Sequence, residues 1–270
     1  MCRWTGIQPV GNKKFKGGYI MRKPKVGIFG FTGCGGCQLE ILNLEDQLLD
    51  LVNAVEIVHF TELITEYSDT YEIALVEGSI TTNHGVERIK KIGDIAKTIV
   101  AIGACAVSGG LNCLKNLYGL EKSKKLVYGD KKDWIDSIEV KPIDDYVKVD
   151  YYARGCPPNR FEIVDIIKSL ILGKKPEIPN YPVCVECKRN GNTCVYEFGI
   201  TCLGPISRAG CNSWCPNSAS GCEACRGVID NPNVNAQKDL LAEYGLTVED
   251  IMKQFNLYNA CKGKTIEKNK

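Results

Sequence analysis

The sequence has few histidines and no long apolar run. Only two histidines, His59 and His84, occur in 270 residues, which disfavours zinc sites of the mixed Cys/His kind. No stretch of about eighteen consecutive apolar residues is present, so we expect no membrane-spanning helix. The first twenty residues lack the apolar segment of a secretory signal. The absence of a membrane span and of a secretory signal predicts a cytoplasmic protein.

The net charge is also small. The chain has 34 Lys and Arg against 32 Asp and Glu, which gives a formal charge of +2. This balance gives no indication of binding to nucleic acid or to an anionic membrane surface. The hydrophobic share of 44% and the charged share of 24% are ordinary for a globular protein. The length allows one large domain, or one domain with a small satellite.

Cysteine is the residue that the chain has in excess, with fifteen in all. Eight of them lie between Val183 and Arg226, in a segment otherwise rich in Gly, Pro, Asn, Ser and charged residues. This segment has almost no apolar periodicity, so we expect something other than hydrophobic burial to fold it. Disulfides are rare in a reducing compartment, and an odd number of cysteines cannot pair completely. Metal is therefore favoured over disulfides as the stabilising element.

Short β-branched runs alternate with amphipathic helical patterns between residues 25 and 173. This alternation predicts an α/β fold, a flavodoxin-like doubly wound parallel sheet, followed by a small cysteine-rich C-terminal domain. The region 111–145 is polar and irregular, with short helices at most. Strands are expected at 25–31, 56–60, 71–79, 98–106 and 147–158, and helices at 38–54, 85–97 and 160–173.

The expected organisation has four parts. A basic N-terminal extension covers residues 1–23, and the flavodoxin-like domain covers 24–173. The cysteine-rich domain covers 174–228 and begins with a Pro-rich linker. The C-terminal helical tail covers 229–270, with a helical pattern over 236–255 that Gly245 interrupts.

Four cysteines follow the carboxyl ends of predicted strands. Cys34 and Cys37 come after the first strand, Cys105 after the fourth and Cys156 after the fifth. Ligands bind at this edge of an open parallel sheet, so we expect the four thiols to converge. Such a group suits a 4Fe–4S cluster or a tetrahedral zinc ion. A thioredoxin-type CxxC would account for the first two cysteines only.

The eight cysteines of the satellite divide at Gly204-Pro205 into two sets of four. Each set contains a CxxC and two further cysteines, which suits a four-ligand cluster. Two zinc sites are the alternative, but a third four-cysteine site on the same chain favours a series of redox centres. The two sets are Cys184, Cys187, Cys194 and Cys202, and Cys211, Cys215, Cys222 and Cys225.

The three other cysteines have no partner at a ligand-like spacing. We interpret Cys113 and Cys261 as lone, buried structural residues. Cys2 lies in the basic extension and is interpreted as incidental. Two carboxylates near the first loop, Glu40 and Glu77, are interpreted as an exposed helix-surface residue and an exposed strand-end residue rather than as proton relays.

Several motifs are similar to those of a known family. Over roughly residues 24–227 the chain resembles the small, electron-transferring subunits of NiFe hydrogenases. YPVCVECKRNG (181–191) and the compact C-terminal segment most resemble the cytosolic, NAD(P)-linked sulfhydrogenase type, in its delta subunit. The other motifs are TGCGGCQLE (32–40), EGSI (77–80), GACAVSGG (103–110), GCPP (155–158), CLGPISRAGCNSWCP (202–216) and GCEACRG (221–227).

The resemblance implies an oxidoreductase that acts on H2, with its Ni–Fe active site in a separate large subunit. Electrons would pass through three 4Fe–4S clusters to a NAD(P)/flavin or ferredoxin-like iron–sulfur subunit, without nucleic acid or membrane insertion. The implied ligands are Cys34, Cys37, Cys105 and Cys156 for the proximal cluster, Cys211, Cys215, Cys222 and Cys225 for the medial cluster, and Cys184, Cys187, Cys194 and Cys202 for the distal cluster.

The chain departs from the periplasmic uptake enzymes of this family at two positions. It has Cys184 where their distal cluster has a histidine ligand, and Cys215 where their medial 3Fe–4S cluster lacks a fourth thiolate. All-thiolate ligation favours low reduction potentials, which suit NAD(P) or ferredoxin partners.

Two other functions are alternatives. One is the cluster-bearing subunit of a complex I-like quinone oxidoreductase, although that family usually has adjacent cysteines in the first loop and lacks the eight-cysteine satellite. The other is a zinc-stabilised interaction module. Iron and acid-labile sulfide analysis distinguishes the zinc module from both redox functions.

Overall fold

One parallel five-stranded sheet forms the centre of the protein. The computed structural model describes residues 22–262, so Cys2 and nearly all of the predicted N-terminal extension lie outside the described residues. The strands are β1 (Lys25–Gly30), β2 (Glu56–Phe60), β3 (Ile73–Glu77), β4 (Thr98–Ile102) and β5 (Tyr151–Ala153). Their order is β2-β1-β3-β4-β5, which is the flavodoxin-like order, so the predicted fold class is confirmed.

The α-helices within residues 22–262 flank this sheet and continue beyond it. Short 3₁₀ helices lie at Gly110–Cys113, Gly129–Trp134, Ile143–Asp145 and Val195–Phe198. The α-helices are α1 (Gly36–Leu42), α2 (Asp46–Ala54), α3 (Asn83–Ile95), α4 (Gly103–Ser108), α5 (Leu114–Tyr118), α6 (Leu120–Tyr128), α7 (Arg160–Ile171), α8 (Val183–Arg189), α9 (Trp214–Asn217), α10 (Val234–Glu243) and α11 (Val248–Asn259). None of them is both long enough and apolar enough to cross a membrane.

Helices cover both faces of the sheet. On one face, Ile41 of α1 and Ile163 of α7 are buried against strand residues such as Leu75. On the other face, Ile89 of α3 packs with strand residues such as Val76. Because both faces are buried, the central strands are almost continuously apolar, which is the pattern that made them recognisable in the sequence.

The predicted helix over 38–54 is in fact two helices. The chain leaves α1 at Asn43 and re-enters a helix at Asp46, and between them Glu45 has φ of 54°. A positive φ cannot be part of a right-handed helix, so the helix must break there. Leu44 lies in the break and is buried in the core of the sheet, which explains why the turn is stable.

The predictions for the fourth and fifth strands were too long. β4 ends at Ile102 because Gly103 has φ of +82°, and the following residues form α4 instead of continuing the strand. Cys105 therefore lies on a short helix. A run such as Ala-Cys-Ala-Val suits either structure, and periodicity alone could not decide between them. β5 likewise stops at Ala153, shortly before Gly155 with φ of +131°.

The cysteine-rich segment shares an apolar core with the helices that follow it. The expectation that this segment cannot build a core by burial was wrong, because α10 and α11, further along the chain, supply its apolar partners. As predicted, the helical pattern is interrupted at Gly245, between α10 and α11. The division of the chain into four parts stays a prediction. The core consists of Leu203, Ile206, Ala224, Leu241, Ile251 and Phe255.

Phe255 is the largest side chain in this shared core and is only 1% exposed. Replacing Phe255 by Ala should lower the free energy of unfolding by about 3–5 kcal/mol, because it leaves a cavity between α11 and the cysteine-rich segment. Denaturant titration followed by circular dichroism measures the effect. Leu126→Ala, at a position 84% exposed in α6, is the control and should change stability by no more than about 0.5 kcal/mol. Equal effects of the two substitutions would contradict the proposed packing.

Candidate functional site

Four thiols lie together at the carboxyl edge of the sheet. Cys34 and Cys37 follow β1, Cys105 lies in α4 after β4, and Cys156 follows β5. Burial raises the pKa of Cys37, and the negative charges of Glu77 and of the other three thiols raise it further. Charges act in this way only at short range, so the structure brings these four side chains into one group.

The loops around this group have no room for larger residues. A Cβ on Gly103 would collide with Cys37 Sγ, and one on Gly110 would lie 2.9 Å from Cys105 Sγ. Burial, followed by the charges of neighbouring thiols, raises the pKa of Cys105 to about 12. Cys34 and Cys156 are exposed, so one side of the group faces solvent.

A buried carboxylate lies beside the same group. Glu77, at the end of β3, is 2% exposed and accepts a hydrogen bond of 2.7 Å from Gln38 Nε2. Burial raises the pKa of Glu77, while the hydrogen bonds that it accepts lower it. The expectation of an exposed strand-end residue was therefore wrong, because β3 is a central strand whose end is covered by α1. Glu40 lies on α1 and pairs with Arg160 at 3.0 Å.

A second group of four thiols lies on and next to α8. Cys184 and Cys187 belong to this helix, Cys194 precedes a 3₁₀ helix, and Cys202 lies in the loop that follows. Burial raises the pKa of Cys184 to about 11, with smaller contributions from the charges of the other three thiols. These four side chains are therefore also close together.

Backbone N–H groups point at sulfur in this second group. Cys202 Sγ accepts hydrogen bonds from the N–H of Gly204 at 3.3 Å and from the N–H of Cys222 at 3.1 Å. A Cβ on Gly204 would lie 3.2 Å from Cys202 Sγ and 3.4 Å from Cys184 Sγ, which is tighter than most side chains accept. N–H donors of this kind stabilise a thiolate and its complexes with metal.

A third group lies between the other two. Burial raises the pKa of Cys225 to about 12, and among the charges that raise it is that of Cys156 from the sheet edge. The pKa of Cys222 is raised mainly by burial and then by Cys202 from the second group, although hydrogen bonds from Ser207 and Ala224 oppose this. The charges of Cys211 and Cys215 also raise the pKa of Cys225, and the charge of Cys225 raises that of Cys222. The group therefore consists of Cys211, Cys215, Cys222 and Cys225.

The remaining two cysteines of the described chain form a disulfide with each other. Cys113 and Cys261 have Cα atoms 5.7 Å apart, so the interpretation of both as lone structural residues was wrong. Their separation of 148 residues is not a ligand-like spacing, and only the tertiary structure could reveal the pair. Within residues 22–262, the free cysteines are thus the twelve predicted ligands and no others.

The donor set fits iron–sulfur clusters better than single metal ions. Between residues 22 and 262, no three Cys, His, Asp or Glu side chains are arranged to bind one metal ion. Structural zinc requires four donors at about 2.0–2.3 Å from a single centre. A 4Fe–4S cluster binds each of its four thiolates through a different iron atom, and so requires wider spacing. Three groups of four thiols without histidine provide four thiolate ligands for each of three such clusters.

Comparison with known proteins identifies the class of protein. The chain belongs to the family of the NADH ubiquinone oxidoreductase 20 Kd subunit, whose model matches residues 34–170. That match contains the four thiols of the sheet edge, but it ends before the other two groups.

More extensive similarities identify the type within this class. The delta subunit of sulfhydrogenase 2 from Pyrococcus furiosus is 35% identical over 239 residues, which are 87% of this chain and 98% of that protein. One subunit of the vhu F420-non-reducing hydrogenase of Methanocaldococcus jannaschii is 35% identical over 237 residues, 76% of this chain and 82% of that protein. A chain in the crystal structure of an NAD+-reducing NiFe-hydrogenase in the H2-reduced state is 29% identical, with a TM-score of 0.54, over 58% of this chain and 96% of that chain.

The predicted resemblance to the small subunits of NiFe hydrogenases is confirmed by these relatives. The chain is a hydrogenase subunit, and so part of an oxidoreductase. A subunit of this type implies iron–sulfur clusters and a large-subunit partner in a complex.

The disulfide can be tested separately from the free thiols. Peptide mapping of the unreduced protein should yield one cross-linked peptide that contains Cys113 and Cys261. Cys113→Ser should lower the free energy of unfolding by about 2–4 kcal/mol, because it removes a covalent constraint on the unfolded chain. Its iron content should equal that of the wild type, since neither residue is in a thiol group. Alkylation of both cysteines without reductant would contradict the pairing.

Proposed function

We propose that the chain is the electron-transfer small subunit of a NiFe hydrogenase and relays electrons through three 4Fe–4S clusters. The observation that carries this proposal is the arrangement of twelve free thiols in three groups of four. The third group is close to Cys156 on one side and to Cys202 on the other, so the three groups form a series. A series of redox centres is what electron transfer across a protein requires.

Each thiol group has its own place in this series. The group at the sheet edge would bind the proximal cluster, the group of Cys211, Cys215, Cys222 and Cys225 the medial cluster, and the group around α8 the distal cluster. A bound 4Fe–4S cluster supplies the ability to accept and release an electron. The protein contributes thiolate ligands, glycines that leave room beside sulfur, and N–H donors that offset negative charge.

The surface around the proximal site supports docking of the large subunit there. Cys34 and Cys156 are exposed, and Phe161 (54% exposed) and Trp214 (60% exposed) line a neighbouring cleft of about 620 Å³. Clustered exposed apolar side chains typically mark protein interfaces. In this arrangement the Ni–Fe active site lies in the partner, next to the proximal thiols.

The opposite end of the series would face the electron acceptor. Val185, Phe198 and Ile200 are exposed apolar residues near the thiols of the second group. We propose that a NAD(P)/flavin or ferredoxin-like iron–sulfur subunit docks there, in a cytoplasmic complex. Ligation by Cys184 and Cys215 makes the distal and medial sites all-thiolate, which favours the low potentials that such acceptors require.

A quinone oxidoreductase subunit is the second candidate, because the matching family is described by that activity. Both candidates predict a cluster at the sheet edge, but only the hydrogenase subunit accounts for two further thiol groups in this chain. The native complex distinguishes them. Reduction of a viologen dye by H2 supports the hydrogenase, whereas quinone reduction by NADH without H2 uptake would support the alternative.

The cluster number is tested by metal analysis of protein purified without oxygen. We expect about twelve iron and twelve sulfide per chain, as three 4Fe–4S clusters require. Cys215→Ser should convert or remove the medial cluster, so iron should fall to between about eight and eleven per chain while the other two clusters remain. Cys113→Ser replaces a cysteine outside the three groups and is the control. Two or three zinc ions without iron would exclude the proposed function.

The docking surface is tested by a charge at its centre. Phe161→Asp should abolish co-purification with the large subunit, because a carboxylate cannot be buried in an apolar interface without a partner. Leu172→Asp is the matched control, 63% exposed and about 16 Å further along the axis of α7. It should leave the complex intact, and both variants should keep the iron content of the wild type. Loss of the complex in both variants, or in neither, would contradict docking at this surface.

A further inference from the structure

A buried arginine follows the last thiol of the third group. Arg226 is 2% exposed and comes directly after Cys225 in the chain. Its guanidinium donates to both carboxylate oxygens of Glu162 in α7, at 2.7 and 2.9 Å. The ion pair therefore joins the cysteine-rich segment to a helix of the sheet domain.

The same guanidinium contacts two loops that carry thiols. Arg226 Nε donates to the carbonyl of Ala209 at 2.7 Å, two residues before Cys211. Arg226 Nη1 donates to the carbonyl of Arg154, two residues before Cys156. The planar guanidinium, with donors in fixed directions, can hold both carbonyls and the carboxylate at once.

The neighbouring backbone packs tightly against this side chain. Gly210 has φ of +116°, and a Cβ there would collide with the guanidinium of Arg226. A glycine is therefore required beside Cys211, for both its conformation and its lack of a side chain. The arginine and the glycine are therefore in close contact where the Cys211 loop approaches the sheet.

The two loops also lie close together at their thiols. The charge of Cys156, in the first group, is among the causes that raise the pKa of Cys225, in the third group. The carbonyl that Arg226 binds is two residues before Cys156, so the arginine is attached to the loop that carries this thiol.

We propose that Arg226 and Glu162 are positioning residues that determine the separation between the proximal and medial clusters. This inference rests on the proposed function. A buried ion pair contributes little net stability compared with apolar residues of the same size, so stability alone does not account for it. Electron tunnelling falls steeply with distance, and a rigid link between the two loops keeps the path between the clusters constant.

The test uses the full chain, purified without oxygen and with its clusters bound. Arg226→Lys keeps the positive charge but cannot reproduce the planar set of donors. Glu162→Gln keeps the shape of the partner and removes its charge. Arg208→Lys is the matched control, because Arg208 is 7% exposed and pairs with Asp230 at 2.6 Å. Its other side-chain hydrogen bonds go to Pro179, Asn180 and Val228 and not to Glu162 or to the carbonyl of Arg154. Iron content and the electron paramagnetic resonance spectrum of the fully reduced protein are measured for each.

Reduced clusters that lie close together split each other's resonance signals. The dipolar splitting decreases with the cube of the distance between the two clusters. We expect wild-type iron content in all three variants, a shifted or lost splitting in Arg226→Lys and Glu162→Gln, and the wild-type splitting in Arg208→Lys. If Arg226→Lys loses iron, the test depends on Glu162→Gln, which should keep its iron and show a shifted or lost splitting.

Three results would overturn the inference. They are a wild-type splitting in iron-replete Arg226→Lys and Glu162→Gln, an equal shift in Arg208→Lys, and iron loss in both junction variants with Arg208→Lys intact. The last result would assign the pair to assembly of the medial site. Failure of the proposed function is distinguishable, because it would show in the wild-type protein. That protein would then contain far fewer than about twelve iron atoms, or its spectrum would show no interacting signals.

Discussion

The close packing of free thiols is the constraint on which the rest of the structure depends. Burial raises the pKa of Cys37, Cys105, Cys184 and Cys225, so without a bound cation these groups are protonated at neutral pH. A cluster binds thiolates, so its binding must supply the free energy that removes these protons. In the proposed function, cluster binding would therefore be coupled to deprotonation of these thiols and to ordering of the loops that carry them.

The fold meets this constraint in two different ways. At the sheet edge, rigid parallel strands bring Cys34, Cys105 and Cys156 together, since their carboxyl ends meet at one place. In the cysteine-rich segment there is no sheet, and Leu203 and Ile206 pack instead on α10 and α11. Apolar burial thus stabilises the same short segment that thiol ligation would stabilise in the proposed function.

The two parts also differ in what they share with other proteins. The family model matches residues 34–170, the part that holds the first thiol group. The hydrogenase relatives extend over most of the chain, up to 87% of it. The sheet domain alone therefore supports a cluster-binding oxidoreductase subunit, and the cysteine-rich segment is what supports a longer electron path. The ion pair of Arg226 with Glu162 joins these two parts.

The sequence by itself determined the fold class and distinguished twelve cysteines at ligand-like spacings from the other three, because hydrophobic period and cysteine spacing are local properties. Tertiary structure alone decided that Cys113 pairs with Cys261, that Glu77 is buried and that Arg226 reaches Glu162. It also decided that Cys105 lies in a helix rather than at the end of a strand, through the positive φ of Gly103. These features depend on contacts between residues far apart in the chain, or on backbone angles set by packing, and neither leaves a periodic signal.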